Sequence, residues 1–304
     1  MSVIGCVGGL TLDWVKRSSG VTGPSVGGNA LYSAVGAWLA GASPALCAVV
    51  GSDWPEDLLP RLSDLGFDVD CVRHVDGPSF RVLLDEVGPR RQMSYLPLSG
   101  HNDTLDPLAH QIRREWSGAH LCAIPTTSQV LLAEQLSAFG VPFTLDTIVI
   151  PGEVEPDKAS LVSLANASHA FLPSQEDIDE LWPGPSTDSQ LHYLSTVISV
   201  PTVITCGPRG SIGCWNGRVF RVPAFAVEAV DTTGAGDAYS GAYAAATAMG
   251  AAVPQAMASA AAAASIVVEG FGVKHALRDE ARAASRYRAD MVLGDIEEEE
   301  VQWH

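Results

Sequence analysis

Residues 231–237 read Asp231-Thr232-Thr233-Gly234-Ala235-Gly236-Asp237, and a run of small, apolar residues follows them directly, Ala238-Tyr239-Ser240-Gly241-Ala242-Tyr243. Two glycines around one alanine predict a tight turn, and the small apolar run predicts a buried helix that begins there. The free backbone N–H groups at a helix start, with the positive end of the helix dipole, attract anions. The turn Gly234-Ala235-Gly236 is therefore predicted to bind phosphate, because glycine lets the backbone approach such a ligand closely.

Asp237 does not suit a site that only binds anions, because a carboxylate repels phosphate. A carboxylate beside a phosphate site has a use if it takes the proton from a hydroxyl that attacks the phosphorus. The alternative is that Asp237 is a first-turn carboxylate that stabilises the positive end of the helix dipole. These residues alone leave both interpretations open.

The motif DTTGAGD and the helix after it resemble the C-terminal signature of the ribokinase-like (PfkB) carbohydrate kinase family. The resemblance implies an α/β fold, with a doubly wound, mostly parallel sheet flanked by helices and a small β-lid. It also implies an ATP-dependent kinase that uses Mg²⁺, with a monovalent cation such as K⁺ as a further candidate. In that family the residue matching Asp237 takes the proton, and the backbone matching Gly234, Ala235 and Gly236 stabilises the transferring phosphoryl group.

The charge and the cysteines of the chain exclude several classes of protein. Its 304 residues include 35 acidic and 18 basic ones, and the formal net charge of −17 argues against non-specific binding to nucleic acid or to anionic membranes. The six cysteines are scattered without a CxxC pair, as free thiols are in a reducing compartment. The N-terminus lacks the pattern of a secretory signal, so a cytoplasmic protein is expected.

The first part of the chain contains the candidate residues for binding the phosphate acceptor. An apolar run predicts a buried strand at Val3–Val7, and Asp13 is expected beyond its C-terminal end, where open α/β sheets bind ligands. From the residue alone, Asp13 could equally be a turn residue. The resemblance implies that Asp13 binds acceptor hydroxyls, and that Gly27, Gly28 and Asn29 open a helix that lines the acceptor pocket.

Two features of this region depart from the family pattern. Tyr32 stands where the family usually has asparagine, and whether Asn29 substitutes for it is open. The lid is expected near residues 11–26 and 78–98, and the short first segment leaves open whether part of the lid is missing. Aromatic residues in these segments could stack on a nucleobase, although aromatic residues of the core or the surface are commoner. They are Trp14, Phe80 and Tyr95.

From residue 119 onward, apolar runs alternate with helical stretches, as they do in βαβ units. The predicted strands are 120–124, 142–146, 169–172 and 202–205. No repeat or long linker interrupts the pattern, so residues 1–290 are predicted to form a single kinase domain. Residues 291–304, which include four consecutive glutamates, are predicted to form an acidic tail that is solvated or disordered.

Two further elements resemble the nucleotide and metal sites of the family. Thr205, Gly207 and Gly210 have the spacing T-x-G-x-x-G, which the family uses as a nucleotide loop; standing alone, these residues would indicate only a turn. Glu176 resembles the glutamate that organises Mg²⁺, although Pro173 replaces the asparagine expected before it. The resemblance further implies that residues 231 and 233, an aspartate and a threonine, lie beside a monovalent cation.

The sequence therefore predicts an ATP-dependent phosphotransferase that phosphorylates a hydroxyl of a sugar or sugar derivative. Two alternatives are a nucleoside kinase of the same fold and a non-catalytic sugar- or nucleotide-binding relative. Tyr32 and Pro173 favour the last, whereas the intact Asp237 favours an enzyme. The expected partner is a small-molecule sugar or nucleoside, and a homodimer is left open.

Overall fold

The chain folds around two β-sheets. A computed structural model gives the positions of residues 2–85, 87, 92–95, 106–149 and 157–301. The strands are β1 Val3–Val7, β2 Thr11–Arg17, β3 Gly20–Gly27, β4 Ser43–Val50, β5 Asp68–His74, β6 Phe80–Asp85, β7 Gln92–Tyr95, β8 Gly118–Leu121, β9 Phe143–Leu145, β10 Ala170–Phe171, β11 Thr202–Thr205, β12 Ser211–Trp215, β13 Arg218–Val222 and β14 Glu297–Glu300. The helices are α1 Asn29–Leu39, α2 Leu58–Asp64, α3 Thr126–Phe139, α4 Lys158–Ala167, α5 Gln175–Leu181, α6 Thr187–Val197, α7 Ala235–Ala248, α8 Val253–Val267 and α9 Asp279–Gly294.

The large sheet has ten strands, in the order β14-β13-β12-β11-β10-β9-β8-β1-β4-β5. The strands from β11 across to β5 run parallel, whereas β12, β13 and β14 extend the sheet with antiparallel pairs. The four strands predicted after residue 119 are all present, with ends shifted by at most three residues. The predicted mostly parallel, doubly wound sheet is therefore confirmed.

Hydrophobic cores cover both faces of this sheet. One core packs the Ala-rich helices α1, α7 and α8, and the other packs α3 to α6. The small residues bring α1 and α7 so close that a Cβ at Gly36 of α1 would overlap the Ala238 carbonyl of α7. Because α7 begins at the predicted phosphate turn, this packing fixes the position of the turn relative to the sheet.

The second sheet is the predicted lid, and it has four strands in the order β3-β2-β6-β7. Strand β2 pairs antiparallel with β3 and parallel with β6, and β6 pairs antiparallel with β7. The short first segment, residues 11–26, therefore forms a hairpin of β2 and β3, so this part of the lid is present. Residues 86, 88–91 and 96–98 of the second region lie outside the described part of the chain.

The acidic segment near the C-terminus is exposed to solvent, as one of the two predicted alternatives had it, but it is ordered. It forms β14, an edge strand that pairs antiparallel with β13, rather than a disordered tail. Arg218 of β13 forms ion pairs with Glu298 and Glu300, at 2.6 and 3.7 Å, which attach the acidic strand to the sheet. Helix α9 runs through residue 290, so the predicted boundary at that residue falls inside a helix.

The expected free thiols are confirmed, because all six cysteines are unpaired and five of them are buried. Only Cys206 is partly accessible. In the part of the chain that the structure describes, none of the helices combines the length and the hydropathy needed to cross a membrane.

Candidate active site

The turn before α7 has the geometry of an anion site. Gly234 is the N-cap residue, with φ at 73°, a left-handed conformation that glycine adopts without strain. The first intrahelical bond runs from the Ala238 N–H to the Gly234 carbonyl, at 2.9 Å. The N–H groups of Gly236 and Asp237 precede this bond, so helix geometry leaves them without intrahelical acceptors. Two donors therefore remain for a ligand at the predicted place.

Hydrogen bonds within the turn hold its shape. One carboxylate oxygen of Asp231 accepts the N–H of Thr233 at 3.0 Å and its hydroxyl at 2.6 Å. The N–H of Asp231 donates to the Val268 carbonyl at 3.2 Å, which connects the turn to the end of α8. The N–H of Ala235 donates to the Thr232 carbonyl at 3.3 Å. Ala235 was predicted to stabilise the phosphoryl group, but its N–H is already bonded inside the turn. The N–H groups of residues 236 and 237 are not used in this way.

The two glycines of the turn have different surroundings. The aromatic ring of Tyr32 lies against Gly234, and a Cβ at Gly234 would overlap that ring. A Cβ at Gly236 would meet no described atom within 4 Å, and Gly236 does not have a positive φ. The side of Gly236 therefore faces open space, which a phosphoryl group could occupy.

This difference predicts opposite effects for two matched substitutions. We expect Gly236→Val to fold normally and to lose at least ~10-fold in turnover, because the new side chain enters the space of the phosphoryl group. Gly234→Val should instead lose about 2–4 kcal/mol of stability, through a strained backbone and overlap with Tyr32. Urea denaturation and initial-rate measurements on both variants test this. Full activity in the Gly236→Val protein would contradict the assignment.

Asp237 lies in the first turn of α7 and is half-buried. Burial is the main cause that raises its pKa from 3.8 to about 6, and the negative charge of Asp13 raises it further in the same direction. The two carboxylates therefore lie close enough to interact. A carboxyl group with a pKa near neutral pH is well suited to accept and release a proton during catalysis.

Asp13 lies in β2, inside the lid segment predicted near residues 11–26, and not just beyond the end of β1, where it was also expected. It is the third residue of β2 and is only 6% exposed. One of its carboxylate oxygens accepts the hydroxyl of Thr11 at 2.6 Å, and the other lies where a Cβ at Gly27 would be. Gly27 therefore leaves room for the carboxylate of Asp13, and its own contact with the acceptor stays a prediction. Asp13 is not at the end of β1 because that strand ends at Val7 and the chain then enters the second sheet.

Gly28 and Asn29 connect loops at this edge of the sheet. Gly28 is the N-cap of α1, with φ at 107°, and packs against the backbone of Gly9. The amide oxygen of Asn29 accepts the Gly9 N–H at 2.7 Å, and its nitrogen donates to the Ala123 carbonyl at 2.7 Å. The amide of Asn29 therefore holds the loops after β1 and β8 together, and its role in acceptor binding stays a prediction.

A cavity of about 670 Å³ lies between the lid and the body of the protein. This volume is within the range of small-molecule sites. Its walls come from the lid at Asp13, from α1 at Tyr32, from the turn at Asp231 and Thr233, and from the loop after α8 at Phe271. Asp13 lines this cavity, and its charge acts on Asp237. We therefore identify the cavity as the candidate acceptor site.

The predicted nucleotide loop follows β11 at the same edge of the sheet. Thr205 ends the strand, Gly207 and Gly210 have φ of 57° and 88°, and the Cys206 N–H donates to the Gly210 carbonyl at 2.7 Å. A Cβ at Gly210 would overlap the Val222 carbonyl, whereas a Cβ at Gly207 would meet no described atom within 4 Å. Gly207 is therefore the position at which a nucleotide could approach the backbone. A second cavity, of about 370 Å³, borders this loop.

Two carboxylates near the site were missed in the sequence. Asp146 directly follows β9, and its side chain accepts the N–H of Thr147 at 2.7 Å. Asp177 accepts the N–H of Val149 at 2.8 Å. Burial raises the pKa of both, and the charges of Asp177 and Asp237 raise that of Asp146 further. The signal was present, because the strand predicted to end at residue 146 placed an aspartate where parallel sheets bind ligands.

The predicted metal residues do not form a ready-made metal centre. Within the described residues, no group of three or more His, Cys, Asp or Glu side chains is arranged to hold a metal ion. Glu176 is exposed in the first turn of α5, and Asp231 and Thr233 bind each other at the turn. This pattern suits a Mg²⁺ ion that is held mainly by nucleotide phosphates, with one or two protein carboxylates nearby.

Comparison with known proteins agrees with this geometry. The family described as pfkB family carbohydrate kinase matches residues 14–280. The chain belongs to the pfkB family of carbohydrate kinases. The match includes the turn before α7, the nucleotide loop and most of the lid.

Two related proteins and one solved structure illustrate what this chain is similar to. It is 26% identical to a ribokinase of Bacillus subtilis over 82% of this chain and 83% of that protein. It is 25% identical to a deoxyribokinase of Salmonella typhi, over 72% of this chain and 73% of that protein. A putative ribokinase II of E. coli, solved in complex with ATP and Mg²⁺, superposes with a TM-score of 0.74 at 16% identity, covering 94% of this chain and 100% of that one.

Proposed function

We propose that the protein transfers the γ-phosphoryl group of ATP to a hydroxyl of a sugar or nucleoside. The observation that carries this proposal is Asp237, a carboxyl group with a pKa of about 6 in the first turn of α7. It lies next to two backbone donors and interacts with a second carboxylate, Asp13, which lines the acceptor cavity. A protein that only binds ligands gains nothing from a proton acceptor beside an anion turn.

The reaction requires one proton transfer and one phosphoryl transfer. Asp237 accepts the proton of the attacking hydroxyl, while that oxygen forms a bond to the γ-phosphorus. The bond between the γ-phosphorus and the bridging oxygen breaks, and its electron pair stays with ADP. The N–H groups of Gly236 and Asp237 stabilise the negative charge on the transferring group. Asp13 binds other hydroxyls of the acceptor and holds it in line.

The residues present fit ATP and Mg²⁺. Open space beside Gly236 and Gly207 allows phosphate and nucleotide to approach the backbone at both loops. Glu176, Asp177 and Asp146 would each offer a carboxylate oxygen, direct or through water, to a Mg²⁺ ion that the nucleotide phosphates mainly hold. When bound, Mg²⁺ neutralises charge on the phosphates. A monovalent cation is proposed beside Asp231, whose carboxylate lies 2.6 Å from the hydroxyl of Thr233.

A coupled assay of ADP release over a panel of sugars and nucleosides tests this function. Asp237→Asn serves as the inactive reference on the same panel. A wild-type protein that binds these acceptors and ATP but never releases ADP above the Asp237→Asn level would show a binding protein instead of a kinase.

The raised pKa of Asp237 predicts the pH dependence of the rate. Only the ionised carboxylate can accept a proton, so kcat/KM should be constant above pH 7 and should fall about tenfold for each pH unit well below 6. Initial rates between pH 4.5 and 8 give the profile. An acid limb near pH 4, as for an ordinary aspartate, would show that burial does not tune this residue.

A further inference from the structure

The acceptor cavity has one strongly polar end and one end with an exposed aromatic ring. Asp13 lies at the polar end, linked to Asp237, and the turn residues Asp231 and Thr233 also line the cavity. Elsewhere apolar and charged side chains share the wall. The apolar members are Val15, Pro24, Val26, Pro55, Leu58, Leu84, Phe271 and Val273, and the charged members are Arg17, Asp57, Arg61 and Lys274. A free sugar offers hydroxyls but little apolar surface, so it matches only part of this wall.

Strand β2 sets the length of the cavity. Alternate residues of a strand face the same side, and Asp13, Val15 and Arg17 all line the cavity, whereas Trp14 and Lys16 do not. At about 3.3 Å per residue, Arg17 lies about 13 Å along the strand from Asp13. The cavity therefore extends well beyond the reach of a single sugar ring bound at Asp13.

The far end carries an exposed aromatic ring with an arginine over it. Phe271 is 61% exposed, which is unusual for such a large apolar side chain. The guanidinium group of Arg17 lies 5.0 Å from the centre of the ring. The loop that carries Phe271 is attached to the phosphate turn, because the N–H groups of Val230 and Asp231 both donate to the Val268 carbonyl. Phe271 therefore belongs to the same wall as the turn.

Aromatic rings and arginine planes are the surfaces on which proteins stack nucleobases. The aromatic residues suggested for this role by the sequence are placed differently. Trp14 is beneath Arg81, with the guanidinium 5.8 Å from the ring centre, and does not line the cavity. Phe80 packs against Val49 and Val75, and the side chain of Tyr95 lies outside the described residues.

We propose that the acceptor is a nucleoside, whose base stacks on Phe271 beside Arg17 while its sugar hydroxyls bind Asp13. This assignment rests on the proposed kinase function and narrows its substrate class. The reaction is unchanged: a sugar hydroxyl forms the bond to the γ-phosphorus, ADP leaves, and Asp237 takes the proton. The base contributes binding energy at a distance from the reacting atoms, which serves to position the sugar.

The test compares nucleosides with the corresponding free pentoses, for wild type and for Phe271→Ala. We expect the wild-type protein to bind nucleosides more tightly than pentoses in calorimetry without ATP. Phe271→Ala should weaken nucleoside binding by about 10- to 100-fold, the scale of losing one base-stacking ring, and should leave pentose binding unchanged. Phe271→Trp should retain the nucleoside affinity. Tyr287→Ala is the matched control, since Tyr287 is 65% exposed on α9 and does not line the cavity.

The other outcomes decide between this proposal, the proposed kinase function and a purely structural role of Phe271. Equal affinity for nucleosides and pentoses in the wild type, or no binding of either, would overturn the proposal. An equal loss for both ligands in Phe271→Ala would also overturn it, because Phe271 would then act only as a contact between lid and body. Selective nucleoside binding without any ADP release would support the base site while refuting the kinase function, so the two failures are distinguishable.

Discussion

Asp237→Asn should lower kcat by at least ~10²-fold, the usual scale for loss of a general base, while the KM for ATP stays within about twofold. The amide has nearly the same shape as the carboxylate but cannot take the proton of the attacking hydroxyl. The N–H groups at the start of α7 are unaffected, so nucleotide binding should persist. Single-turnover rates and ATP titrations measure the two quantities separately.

The same substitution should also stabilise the protein at neutral pH. The folded state raises the pKa of Asp237 to about 6, so it holds the proton more tightly than the unfolded chain does. Ionisation therefore costs folding stability as the pH rises through this range, on the order of 1–3 kcal/mol above pH 7. Asn removes that cost, so thermal melts should show little gain at pH 3.5, part of the gain at pH 5 and the full gain at pH 8.

Asp279→Asn is a suitable control, because Asp279 is an exposed aspartate in the first turn of α9. It should change neither turnover nor the pH dependence of stability. Near-normal turnover in Asp237→Asn would remove Asp237 from the mechanism and leave it as a carboxylate that stabilises the helix dipole.

Asp13→Ala should raise the KM for the acceptor by about 10- to 1,000-fold, because hydrogen bonds to a buried carboxylate contribute roughly 1.5–3 kcal/mol each. The KM for ATP should be nearly unchanged, since Asp13 lies on the lid side of the cleft. The rise in the acceptor KM should be smaller for acceptor analogues that lack one of the bound hydroxyls. With such an analogue, the wild-type protein already lacks the hydrogen bond that Asp13→Ala removes. Steady-state kinetics with both substrates varied give the two constants.

Asp13→Ala should also change the pH dependence of the rate, which a mere loss of packing at Asp13 would not do. The charge of Asp13 raises the pKa of Asp237, so its removal should move the acid limb of the pH profile to lower pH. Titration of ATP itself would not move with this substitution. Asp85→Ala is the matched control, because Asp85 is also on the lid but pairs with Lys16 at 2.7 Å and does not line the cavity. A rise in the KM for ATP would contradict the assignment of Asp13.

The phosphate turn could be predicted because its chemistry is local. Gly234 needs a left-handed conformation, the small residues after it need a buried helix, and Asp237 lies at the start of that helix. All of these requirements are met by neighbours in the chain. The strands of the large sheet could be predicted for the same reason, since each is a short apolar run buried by helices on both faces.

The pairing that places Asp13 could not be predicted in the same way, although the family resemblance implied a lid near residues 11–26. Whether residues 11–17 continue beyond the main sheet or enter a second sheet depends on pairing with β6, which lies far away in the sequence. The contacts of Asn29 could not be predicted for a similar reason. Its amide binds the backbone of Gly9 and Ala123, and only the folded chain brings those two loops together.

Local sequence thus accounts for the class of fold, the shape of the turn before α7 and the choice of Asp237 as the candidate base, because dihedral preferences and hydrophobic periodicity act between neighbours. The tertiary structure added the pKa of Asp237, the cavity between lid and body, and the use of the acidic segment as strand β14. Each of these depends on burial or charge contributed by distant segments, as when Asp13 of the lid acts on Asp237 of α7. Such interactions arise only when folding brings those segments into contact, and no local pattern in the chain encodes them.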